Sequence, residues 1–151
     1  MKFELGIVPT PQARVRHGIS KGGFVTAFKA GTQIRNEQTL EACLLEHKPQ
    51  KPVRGAVRLS FTAVLPLPQS VSKKKKAEML AGSMHPTKKP DIDNLAKQIL
   101  DAMTRLQFWE DDKQIVELHC RKVYGEYGKW VVEVEEAGET AGKATTEKRN
   151  G

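Results

Sequence analysis

Residues 88–118 read KKPDIDNLAKQILDAMTRLQFWEDDKQIVEL, and the hydrophobic pattern changes period within that span. Leu95, Ile99, Ala102 or Met103, and Leu106 recur at helical spacing, which predicts an amphipathic helix over 93–106. Pro90 disfavours helix at the residue before it and helps place the start. Past a short loop, Val116, Leu118 and Cys120 alternate with Glu117, His119 and Arg121, the period of a strand. A helix running into a strand, with acidic residues at both joints, sets the expectation for the fold. It is an α/β (α+β) single domain, a mixed β-sheet with two main helices packed on it.

The flanking segments extend that reading. Val57, Leu59, Phe61, Ala63 and Leu65 share one face of a strand over 55–65, with Arg58, Ser60 and Thr62 on the other. A long connection over 66–90 carries Lys73, Lys74, Lys75 and Lys76, then a helical turn or two at Ala77–Ala81. Connections of that length are commonly functional or mobile. Nearer the N-terminus, Phe3, Leu5 and Ile7 alternate as a first strand, residues 9–23 read as a loop, and 24–28 as another short strand. Leu40, Cys43, Leu44 and His47 predict a helix over 36–47 with Asn36 as its cap. Trp130, Val132 and Val134 read as the hairpin partner of the 116–121 strand across Gly125–Gly128. Large hydrophobic residues end before Ala137, so the expected division is a domain over 1–136 and a disordered tail over 137–151.

The chain has 151 residues, a length suited to one core, and 25 Lys and Arg against 18 acids, for a net charge of +7. That balance favours a polyanionic partner. No apolar run approaches the roughly 20 residues that span a bilayer, and the first residues lack a signal-peptide core, so the expected location is cytoplasmic. Cys43 with His47, and His119 with Cys120, raise the question of zinc. Adjacent strand residues point to opposite faces, however, and the two cysteines read as structural.

The chemistry sits at the two acidic joints. Asp91 and Asp93 stand where the helix begins, and Asp111 and Asp112 stand just before the strand. The plain account of the first pair is helix capping, which uses one carboxylate and leaves Asn94 and the second cluster unexplained. Should the fold bring Asp91, Asp93 and Asp112 together, three carboxylates make a hard-oxygen site for magnesium, or manganese in its place. Asp111, Asn94 and Asp101 are further candidates. Lys97 lies one helical turn beyond Asp93, placed either for an exposed ion pair or to neutralise a phosphate during cleavage. Arg14, Arg16, Lys73–Lys76, Lys88 and Lys89 are the candidate contacts to a DNA backbone. His17 and His85 read as surface residues.

At these residues the sequence resembles the RusA family of Holliday junction resolvases. The match runs over Lys89-Pro90-Asp91-Ile92-Asp93-Asn94-Leu95, Lys97, Asp101-Ala102 and Phe108-Trp109-Glu110-Asp111-Asp112-Lys113-Gln114-Ile115, and Ser72–Lys76 looks like phage members. The resemblance implies an α/β homodimer that binds four-way or branched DNA and cuts opposed strands with magnesium. It places Asp91, Asp93 and Asp112 as metal-binding aspartates and Lys97 as the essential lysine. Two departures stand out: Gln107 replaces a common glycine, and the loop from Pro9 to His17 lacks an asparagine and a tyrosine. The rival readings are a non-catalytic structure-specific DNA-binding protein and a protein–protein adaptor.

Overall fold

The computed structural model describes residues 1–11, 16–19, 25–28 and 31–138, with the backbone alone within 16–36. In chain order the elements are β1 (Lys2–Leu5), β2 (Arg16–Ile19), β3 (Val25–Phe28), α1 (Gly31–Leu45), β4 (Val57–Pro66), α2 (Lys73–Leu80), α3 (Ile92–Arg105), a 3-10 turn (Asp112–Gln114), β5 (Ile115–Gly125) and β6 (Lys129–Glu136). The order in the main sheet is β1-β6-β4-β5, mixed because β4 runs parallel to β5 and antiparallel to β6. β2 and β3 form a separate antiparallel pair. This is a single domain of α+β class, as the hydrophobic periods imply.

β4 is central for a simple reason. Val57, Leu59, Phe61, Ala63 and Leu65 all lie on its buried face, and the first four meet Leu95, Ile99 and Met103 of α3 and Leu40 and Leu44 of α1 in one core. Burial of each such large side chain contributes about 1.5–3 kcal/mol, so α3 is held by packing more than by propensity. Its last turn closes on Trp109, whose indole N–H donates to Thr104 Oγ1 at 2.8 Å.

Several sequence expectations change. β5 and β6 do not pair: β4 lies between them, and the short 126–128 connection passes over the end of β4. Alternation reports which residues share a face, not which strand lies alongside. Gly125 and Gly128 permit that crossing, since a Cβ at the first would clash with Val64 and at the second would sit 2.7 Å from Val8. A strand, β2, lies within the segment read as a loop. α1 starts at Gly31, so Asn36 falls inside the helix rather than at its cap. The lysine run is itself helical: α2 starts at Lys73, with Ser72 Oγ accepting from Lys75 N at 3.3 Å. A cap directly before four good helix formers outweighs the repulsion between them. Ala137, read as the first tail residue, still donates to Ala56 at 2.9 Å, and 139–151 lie outside the described residues.

Candidate active site

Asp91 occupies the N-cap position of α3 with extended backbone, but its side chain makes no capping hydrogen bond. Only its carbonyl serves the helix, accepting Leu95 N at 3.1 Å. Capping therefore does not account for the Asp91 carboxylate. The approach to Asp91 is fixed from the sheet instead. Lys122 of β5 donates through Nζ to the carbonyls of Lys88 and Pro90, both at 3.0 Å, so one ammonium holds the backbone on either side of Lys89 and up to the N-cap. No role was read for Lys122 in the sequence. The signal was there in the register, where it follows Leu118 and Cys120 on the strand face that looks toward α3, a position an unpartnered charge does not occupy.

Asp93, Lys97 and Asp101 follow at four-residue intervals and lie along one side of α3, the first two exposed and Asp101 half-buried. Asn94 is half-buried beside them. The second acidic cluster meets the lower part of this stripe. The Asp111 and Asp112 carboxyls act on each other, and their acidities diverge. The Lys113 backbone N–H, then Asp112, hold Asp111 below the usual carboxylate range. Sharing a proton with the neighbouring Asp111 is the main cause raising Asp112, with burial and the negative charges of Asp111 and Asp101 adding to it. Asp112 is thus within electrostatic reach of Asp101, which lies about 12 Å down the helix axis from Asp93.

Among the described residues, no three His, Cys, Asp or Glu side chains lie close enough to hold a metal ion between them. One chain therefore does not close the three-carboxylate cluster of Asp91, Asp93 and Asp112. The physical reason is helix length: the first pair sits at one end of a 14-residue helix and the second cluster follows its other end. What the fold does assemble is an open acidic face with Lys97 in its middle.

The second cluster has its own brace, again missed from sequence. Gln114 Oε1 accepts from the backbone N–H of Glu110 at 2.7 Å and of Asp111 at 2.8 Å. Its Nε2 donates to the carbonyls of Val53 and Gly55, both at 2.9 Å. Asp111 completes a capping box with it, accepting from Lys113 N at 3.0 Å. An acidic residue followed three positions later by glutamine is the sequence signature of such a box.

Of the cations, Lys73, Lys74, Lys75, Lys88 and Lys89 are exposed and Lys76 is half-buried. Arg14 lies outside the described residues, and Arg16 is placed on β2 by its backbone alone. His47 stacks on Phe3 with ring centroids 4.5 Å apart, and both cysteines are free and half-buried, with burial pushing the Cys120 thiol up.

Comparison with known proteins identifies the family. Residues 6–135 match the family model described as Endodeoxyribonuclease RusA. The chain belongs to the RusA family. It is 33% identical over 135 residues to the crossover junction endodeoxyribonuclease rusA of Lactococcus phage r1t, covering 89% of this chain and 95% of that protein. It is also 34% identical over 128 residues to the uncharacterized protein YqaN of Bacillus subtilis (strain 168), covering 83% of this chain and 89% of that protein. Membership of the RusA family makes this chain a nuclease. Among the described residues no helix is long and apolar enough to cross a membrane.

Proposed function

We propose that this protein resolves four-way DNA junctions, as a magnesium-dependent endonuclease acting as a homodimer in the cytoplasm of a bacterial or phage-infected cell. The observation that carries the reading is the Asp91 carboxylate, placed at the N-terminus of α3 and not engaged in capping it, with Asp93, Lys97 and Asp101 continuing along the same exposed helix. Crossover junctions are named as the substrate of the phage r1t relative, and a two-fold dimer suits a substrate cut in two symmetric strands.

The donor set fits magnesium in an open form. Its oxygens are hard carboxylates, and magnesium takes one or two carboxylates while waters and substrate phosphates complete its shell. Asp91 and Asp93, together at the start of α3, are the residues of one chain that would hold it. Bound there, the metal supplies Lewis acidity toward the phosphodiester and lowers the pKa of the attacking water. Lys97 sets a positive charge amid the acids, where it counters the charge that builds on the phosphate. Lys122 and Gln114 keep the two acidic segments in place. α2 opens with four lysines at its own positive dipole end and no acid in its first turn, an arrangement that DNA phosphates relieve.

The test is incubation of a labelled synthetic four-way junction and a linear duplex of the same sequence with the protein, with and without magnesium. Paired symmetric cuts in the junction alone, lost without metal, are expected. Asp93→Asn is expected to lose more than about a hundredfold in cleavage, beyond the effect of an outer residue on a metal site, while junction binding persists. Tight binding with no cleavage under any divalent metal would leave a DNA-binding protein and end the assignment.

A further inference from the structure

Gln98 is the one buried polar residue of the core among those described, 4% exposed, and its Oε1 has no hydrogen-bond partner. It follows Lys97 directly and is flanked on α3 by Leu95, Ile99 and Ala102, all buried. An aliphatic side chain would serve packing there, and a buried polar group without a partner is disfavoured unless something else supplies one. Gln98 lines a cavity of about 190 Å³ between α3, α1 and the segment after β1, shared with Val8, Thr10, Thr39, Leu40 and Trp130. That volume is far more than the roughly 10–15 Å³ a single water requires. None of the described residues lining it is charged.

The cavity also adjoins the acidic face. Asp101 lies three residues after Gln98 and Asn94 four before it, so both are its neighbours on the surface of α3, and Asp101 is in turn the residue within electrostatic reach of Asp112. A strand whose phosphate meets Lys97 would pass along the side of α3 that borders the cavity.

We propose that this cavity receives one unstacked nucleobase of the strand being cut, with Gln98 Oε1 accepting an N–H from its edge. The described lining, uncharged throughout, suits a heterocycle rather than a phosphate. The buried acceptor demands a donor, which an extruded base exposes on its Watson–Crick edge at a position that differs from base to base. The proposal rests on the reading that DNA is cut at the α3 face and adds a base-reading subsite to it.

Fluorescence of 2-aminopurine, placed in turn at positions flanking the branch of a four-way junction, tests this with Asp93→Asn protein so that the substrate stays intact. One position is expected to brighten several-fold on binding. The increase is lost with Val8→Trp in the same background, which fills the mouth from a half-exposed site, while gel-shift binding persists. In the cleaving protein, Gln98→Leu is expected to flatten the preference among cut sequences by about tenfold, the discrimination one good base contact provides. No position that brightens, brightening that survives Val8→Trp, or an unchanged cut pattern with Gln98→Leu each overturns the proposal alone. Failure of the parent protein to bind or cut junctions overturns the junction reading first and the subsite with it.

Discussion

Replacing Gln114 by alanine removes the brace of the second acidic segment, and its effect can be worked from the hydrogen bonds. The side chain makes four: two accepted from Glu110 and Asp111 and two donated to Val53 and Gly55, between 2.7 and 2.9 Å. At about 1 kcal/mol net for each bond, the sum is about 4 kcal/mol. Gln114 is half-exposed, and water reaching the orphaned backbone groups reduces that to about 2 kcal/mol. For a domain near this size, about 2–4 °C is lost per kcal/mol, so Gln114→Ala is expected to lower Tm by about 4–8 °C. Gln114→Glu separates the two halves of the brace. It still accepts from Glu110 and Asp111 but turns both donations into repulsion and adds a charge beside Asp111 and Asp112, so its loss is expected to be at least as large. Thermal unfolding followed by circular dichroism gives the number, and hydrogen exchange at the Glu110 and Asp111 amides reports the local release. An alanine variant that melts within about 1 °C of the parent, with both amides still protected, would refute the reasoning.

Lys122→Met, which keeps the length but not the charge, is expected to raise the magnesium needed for half-maximal cleavage by about tenfold through loss of the Lys88 and Pro90 anchors, with partial recovery in Lys122→Arg. An unchanged magnesium titration would count against a positioning role. Arg58 bonds Glu117 at 2.6 Å and Glu135 at 3.0 Å and is the main reason both carboxyls sit below their ordinary value of 4.5. Carboxyls depressed on folding stabilise above the unfolded pKa and lose that contribution as pH falls through the folded one. Arg58→Met is therefore expected to be less stable than the parent at neutral pH, and the gap should close below pH 4.5 in a pH series of denaturant melts. A gap independent of pH would argue against it. Gln107 has φ of 63°, a left-handed conformation after α3 that costs a side chain about 1 kcal/mol. Gln107→Gly is expected to raise Tm by about 2–4 °C, and a lowered Tm would contradict the strain.

Much of this was legible in the residues. The 3.6-residue period of 93–106 and the alternation of 55–65 and 116–121 are local properties, dictated by which side chains must leave water together, and they named α3, β4 and β5 before any contact was known. Gln107 stands where relatives commonly carry glycine, and its backbone takes the left-handed conformation that glycine favours. Other features depended on which elements meet. Alternation in β5 cannot say whether β4 or β6 lies beside it, because pairing is a choice among edges made by the whole sheet. The Asp91 side chain looked like a cap because residue type and position both allow one, and only the geometry leaves its carboxylate uncapped. Lys122 and Gln114 act across more than thirty and about sixty residues of chain respectively, separations at which no sequence window reports a partner. The sequence alone determined the residue types and spacing of two acidic clusters in a basic, DNA-directed nuclease of the RusA family. Tertiary structure decided that Asp112 comes within electrostatic reach of Asp101, at the far end of a rigid helix from Asp91, and that the buried Gln98 borders a cavity.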